Sequence, residues 1–170
     1  AGFEAVGFPL GDDDVRFIVG RHPADYVPEL MRRHEVPDAA FSKLRRVQEA
    51  AYLERHALVP PFPGAVELVE RLSARRFRLA VATSSGTVHA REVLERTGIL
   101  PHLEFVLGGD DVDRRKPAPD IYLMAVERFG VATGQVLVIE DSEHGVAAAR
   151  AAGLACVAVR SPHAPADSSA

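Results

Sequence analysis

The chain is poor in cysteine, in unbroken apolar runs and in excess positive charge, and each shortage excludes something. Its one cysteine, Cys156, has no partner for an intramolecular disulfide. With Leu154, Ala155, Val157 and Val159 around it, Cys156 reads as part of a buried strand, which fits a reducing compartment. No segment approaches the roughly 18 to 20 consecutive apolar residues of a membrane span, and no basic segment followed by an apolar one stands at the N-terminus. The expected location is therefore the cytoplasm. Twenty Lys and Arg residues against 24 Asp and Glu leave a net charge of −4 and a pI near 6.0. No bulk positive field is available for nucleic acid or an anionic membrane, so an anionic ligand has to be caught locally.

What is present suits a folded protein. Of 170 residues, 47% are hydrophobic and 26% charged, which fits one ordinary domain or one with a small appendage. Residues 1 to about 58 read as helical. Gly11-Asp12-Asp13-Asp14 resembles a helix cap ahead of Val15, Phe17 and Ile18. Pro23 opens a second helix with Tyr26, Val27, Leu30 and Met31 at 3 to 4 spacing, and Pro37 ends it. A third, from about Asp38 to Ala57, aligns Phe41, Leu44, Val47, Ala51 and Leu58. Val59-Pro60-Pro61-Phe62-Pro63-Gly64 then forbids helix and marks a domain boundary.

Beyond it, helical periods alternate with short apolar runs. Helices at about 64 to 75, 87 to 97, 118 to 129 and 143 to 152 each precede a strand, at Leu79–Ala82, Phe105–Leu107, Val136–Ile139 and Ala155–Val159 respectively. Strands this continuously apolar are expected to be buried on both faces of a parallel sheet, giving a doubly wound, Rossmann-like α/β core. The Pro-, Ala- and Ser-rich tail from Ser161 to Ala170 reads as frayed, and there is no internal repeat.

In such sheets ligands bind beyond the carboxyl ends of the strands. One strand ends in Thr83-Ser84-Ser85-Gly86-Thr87, hydroxyls leading into a helix N-terminus that can cradle an anion. Another ends in Glu140-Asp141-Ser142, hard oxygen donors suited to Mg²⁺, with Gly145 allowing a close backbone approach. Between them, Pro117 and Pro119 stiffen the turn that carries Lys116. Each element has a plainer reading: Ser85 or Thr87 as a helix cap, Asp141 as the cap of a helix beginning near Glu143, Lys116 as a surface cation. Together, on successive strand ends, they predict phosphate binding with Mg²⁺.

The series Leu79-Ala80-Val81-Ala82-Thr83-Ser84-Ser85, Arg115-Lys116-Pro117-Ala118-Pro119-Asp120 and Val138-Ile139-Glu140-Asp141-Ser142 with Gly145 resembles the haloacid dehalogenase superfamily. The likeness is to its β-phosphoglucomutase-like and phosphoglycolate-phosphatase-like branch and covers nearly the whole chain. It implies that Thr83, with Ser84 and Ser85 in the same loop, binds the phosphoryl group. Lys116 would neutralise phosphate and nucleophile charge, and Glu140 and Asp141 would hold Mg²⁺. By the same resemblance, residues 1 to 58 are a helical cap over a core at 59 to 170, and Phe8, Gly20 and Asp25 fall within the cap's first helices.

One motif of the superfamily is missing. Its Asp-x-Asp-Gly-Thr segment, which follows an apolar strand and supplies the nucleophile, has no counterpart here. Asp12 and Asp14 share the spacing, but Pro9-Leu10-Gly11 precedes them and Val15-Arg16 follows, so they read as helix caps. In the superfamily that strand lies between those ending at Thr83 and Glu140. Its loss is expected to leave two edges unpaired unless a segment before Ala1, or a strand from elsewhere such as a second copy, fills the place.

The resemblance implies a Mg²⁺-dependent phosphatase of small phosphorylated metabolites, such as sugar phosphates or phosphoglycolate, acting in complete form through an aspartyl-phosphate. The 170-residue chain itself is then expected to be inert. Two alternatives stand: a sugar-phosphate mutase, for which Pro23 replaces the arginine of the superfamily's mutases, or a non-catalytic phosphate-binding remnant. The expected partner is a small phosphorylated metabolite, without nucleic acid or membrane, and the expected state a monomer or weak homodimer.

Overall fold

The computed structural model describes residues 2–18, 21, 23–56 and 60–160, with side chains described for all of these except 52–56. Gly20, Leu58 and Val59 and the tail from Ser161 lie outside the described residues.

The N-terminal part is helical, as its periodicity predicts: α1 Gly2–Ala5, α2 Asp12–Ile18, α3 Pro23–Arg33 and, after a 3-10 turn at Asp38–Ala40, α4 Phe41–His56. Helix α3 buries Tyr26, Val27, Leu30 and Met31 against Phe3, Val36 and Leu44. Its stop differs from the expectation. Pro37 does not end it. Glu35 adopts φ 51°, and the reversal lets the Val36 N–H reach the Met31 carbonyl at 2.8 Å, one turn before the proline. Phe41, expected on the buried stripe, is exposed, whereas Leu44 is fully buried.

From residue 65 the chain alternates as expected: α5 Ala65–Ala74, β1 Ala80–Ala82, α6 Thr87–Arg96, β2 Phe105–Leu107, α7 Asp120–Phe129, β3 Leu137–Glu140, α8 Glu143–Ala151 and β4 Ala155–Ala158. The fold is α/β. A second core joins Leu107, Ile121, Tyr122, Ala125, Val138, Ala148, Ala149, Ala152 and Leu154, so α7 and α8 close one side of the strands. None of the helices among the described residues is long and apolar enough to cross a membrane.

The strands form two parallel pairs, β1 with β2 and β3 with β4, in the registers Val81 to Val106 and Val138 to Cys156. Among the described residues β1 and β3 do not pair, in keeping with the strand order implied by the resemblance. Backbone groups alternate sides along a strand. Because Thr83 and Glu140 bond toward β2 and β4, the groups of Ala80 and Ala82 on β1 and of Leu137 and Ile139 on β3 point to the unpaired edges.

Burial on both faces, expected for all four strands, does not hold. Val138 is buried, but Leu137, Ile139, Val157 and Val159 are 60%, 48%, 47% and 44% exposed. They share one face, which α7 and α8 do not cover, and Cys156 is only half-buried.

Candidate active site

Lys116 is where the strand ends meet. Its side chain is only 5% exposed, and its Nζ donates to the Ala82 carbonyl at the end of β1 (3.0 Å) and to Glu140 Oε1 at the end of β3. The ammonium also stands 4.7 Å from the centre of the Tyr122 ring. Two of its three protons are thus spent. The loop that carries it is fixed on both sides: Arg114 pairs with Asp120 at 2.9 Å, and Arg115 Nε donates to the Gly109 carbonyl at 3.0 Å. Arg115 Nη1 lies 3.4 Å from Asp25 of α3, tying the helical part to this loop.

Glu140 is buried and fully engaged. Oε1 accepts from Lys116 and from the Tyr122 hydroxyl at 2.5 Å; Oε2 accepts from the Asp141 N–H (3.2 Å), the Ser142 N–H (3.4 Å) and Ser142 Oγ (3.1 Å). Burial pushes its carboxyl upward, yet the Lys116 charge and these hydrogen bonds outweigh it and hold the group below the usual carboxylate range. Burial, and then the bond to Glu140, pushes the Tyr122 hydroxyl well above its ordinary value, so Tyr122 stays protonated as the donor.

Asp141 is different. It is exposed, and among the described residues its carboxylate takes no hydrogen bond. The helix-cap reading of Asp141 does not hold, because Ser142 is the N-cap of α8 and its Oγ accepts from the Gly145 N–H at 3.1 Å. Gly145 does serve a close approach, to the Glu140 carboxyl rather than to a ligand.

Thr83 follows directly on the carbonyl that Lys116 binds, and its Oγ1 accepts from the Ser85 N–H at 3.1 Å. Ser84 and Ser85 sit partly exposed in the same turn. Neither Ser85 nor Thr87 is the helix cap. Gly86 is, without a side-chain bond, and Asp110 from beyond β2 accepts from the Thr87 N–H at 2.8 Å. The Thr87 hydroxyl lies 2.7 Å from Asp110 and 2.8 Å from Asp111. The sequence reading missed Asp110, Asp111 and Tyr122. A pointer to the first two existed in Gly108, where a Cβ would come within 2.4 Å of the Thr87 nitrogen.

Asp14 accepts from the Gly11 N–H at 3.1 Å and lies 2.8 Å from His34 Nε2, a capping and helix-linking role. Asp12 is exposed at the start of α2. Among the described residues no three His, Cys, Asp or Glu side chains converge as a metal-binding group.

The profile of the haloacid dehalogenase-like hydrolase family matches residues 2–159. The phosphorylated carbohydrates phosphatase of Thermotoga maritima is 35% identical over 151 residues, 89% of this chain and 70% of that protein. The phosphoglycolate phosphatase of Shigella boydii is 31% identical over 150 residues, 88% of this chain but 52% of its own length. Among solved structures, a β-phosphoglucomutase candidate from Thermotoga maritima superposes with a TM-score of 0.72 at 33% identity, covering 97% of this chain and 77% of the other.

Proposed function

Because this chain belongs to the haloacid dehalogenase-like hydrolase family, we propose that it recognises the phosphate of small phosphorylated metabolites, sugar phosphates or phosphoglycolate, for Mg²⁺-dependent hydrolysis. The observation that carries this reading is the buried Lys116 ammonium, held at the ends of β1 and β3 by the Ala82 carbonyl and Glu140, the residue that precedes the exposed Asp141. A fixed cation loses little on meeting phosphate, and in a site shielded from water its attraction is far stronger than at the surface. Thr83, Ser84 and Ser85 add hydroxyls on the neighbouring strand end, while the Thr83 and Ser85 N–H groups are spent on the Leu107 carbonyl and Thr83 Oγ1.

The donor set suits Mg²⁺, which takes one or two carboxylates and completes its shell with water and substrate oxygens. Of the two carboxylates, both Glu140 oxygens are engaged, so direct ligation falls to Asp141 while Glu140 fixes Lys116. The metal would supply a second positive charge against the phosphate oxygens. To the residues described here we assign binding, orientation and charge neutralisation.

Titration of the chain with inorganic phosphate, with and without Mg²⁺, tests the proposal. Binding that strengthens with Mg²⁺ and is lost in Lys116→Ala is expected, whereas Lys43→Ala, at an exposed position on α4, should bind normally. Binding that ignores Lys116 would refute it. Turnover on a panel of phosphate esters then identifies the substrate.

A further inference from the structure

Tyr122 stands outside every motif that marks the site, yet it touches both members of the buried ion pair. Its hydroxyl donates to Glu140 Oε1 at 2.5 Å, the oxygen that also receives Lys116, and its ring lies 4.7 Å from the Lys116 ammonium. Tyr122 is 5% exposed and itself held by the core with Ile121, Ala125, Val138 and Ala148. We infer that Tyr122 is the positioning residue of the site, fixing Glu140 by its hydroxyl and Lys116 by its ring so that the ammonium keeps one proton directed to a ligand.

The geometry explains why such a residue is needed. A lysine on four rotatable carbons is a poorly fixed cation, and ordering it costs side-chain entropy. Pro117 fixes the backbone next to Lys116 but not its chain. Glu140 attracts the ammonium, and the Ser142 clamp holds only its other oxygen. Without the Tyr122 hydroxyl, the oxygen facing Lys116 has one partner, and the pair can shift along the line joining β1 and β3. A ring without the hydroxyl still packs, so the two contributions are separable in one substitution.

The chain has only two lysines, Lys43 and Lys116, and Lys43 is exposed on α4, so ¹⁵N spectra of the side-chain ammonium groups resolve the pair without ligand. A slowly exchanging ammonium signal that vanishes in Lys116→Ala is expected. In Tyr122→Phe its exchange should quicken by about tenfold, the scale of a lost hydrogen bond to a charged group, while the melting transition stays cooperative. Phosphate affinity in the presence of Mg²⁺ should fall by a similar factor. A role in packing alone predicts the opposite: Tyr122→Phe like the wild type, and only Tyr122→Leu impaired. That result, or the absence of a protected Lys116 ammonium in the wild type, would overturn the inference. Although its role toward a ligand rests on the phosphate reading, the two fail differently. If the ammonium depends on Tyr122 and no phosphate binds, the positioning holds and the proposed function falls.

Discussion

A Cβ built on Gly145 would stand 2.0 Å from Glu140 Cδ and 2.1 and 2.2 Å from its two oxygens. The first turn of α8 is therefore laid directly against the carboxylate that holds Lys116. A flexible surface side chain would step aside, but Glu140 is buried and bonded through both oxygens. Gly145→Ala should therefore break the buried pair and destabilise the chain by about 3 to 5 kcal/mol, read by urea unfolding. Unchanged stability with phosphate binding intact would show that Glu140 moves freely.

The same pair shows what was legible beforehand. Lys116, Glu140 and Asp141 follow from strand ends and turn chemistry, which are local. The helices and strands beyond residue 64 lie within two residues of their expected bounds for the same reason. What escaped is tertiary. Nothing local to Tyr122 says that its hydroxyl meets a carboxylate 18 residues on, or that Asp110 caps a helix 23 residues earlier. The stop of α3 at Glu35 was hidden because a non-glycine residue carries the left-handed turn. The apolar run at β3 suggested two buried faces, since composition cannot report which neighbours a strand lacks.

That exposed face leads to an expectation about association. Leu137, Ile139, Val157 and Val159 form an apolar surface beside a strand edge that is unpaired among the described residues, the arrangement that draws other chains. Sedimentation of the chain should show self-association growing with concentration. The double substitution Leu137→Lys and Ile139→Lys should suppress it while changing stability little, because both side chains are about half exposed or more. Identical sedimentation of the two proteins would place the association surface elsewhere.

His144 should make stability depend on pH. Burial, and then the positive charge of Arg21, hold its imidazole below the ordinary value of 6.5. The unfolded chain therefore takes up the proton first as pH falls. Stability from this group is complete above about 6.5 and is lost as pH drops from there through the lower folded value. Melting temperatures of the wild type and His144→Gln should differ in slope over that window, the variant being flatter. Parallel slopes would count against a depressed His144.

Asp141 and Ser142 are adjacent, and their substitutions should part company. Ser142 Oγ accepts from the Gly145 N–H and donates to Glu140, so it serves the helix start and the buried carboxylate at once. Ser142→Ala should cost about 1 kcal/mol or more of stability through the lost cap. Asp141 is exposed and caps nothing, so Asp141→Asn should leave the urea midpoint unchanged. The amide keeps the size but gives up the charge that a hard cation requires, so phosphate binding should cease to respond to Mg²⁺. Calorimetric Mg²⁺ titration beside the unfolding curves separates the two effects. If Asp141→Asn instead lowered stability and kept the Mg²⁺ response, the carboxylate would be structural and the metal would have to be held by other groups.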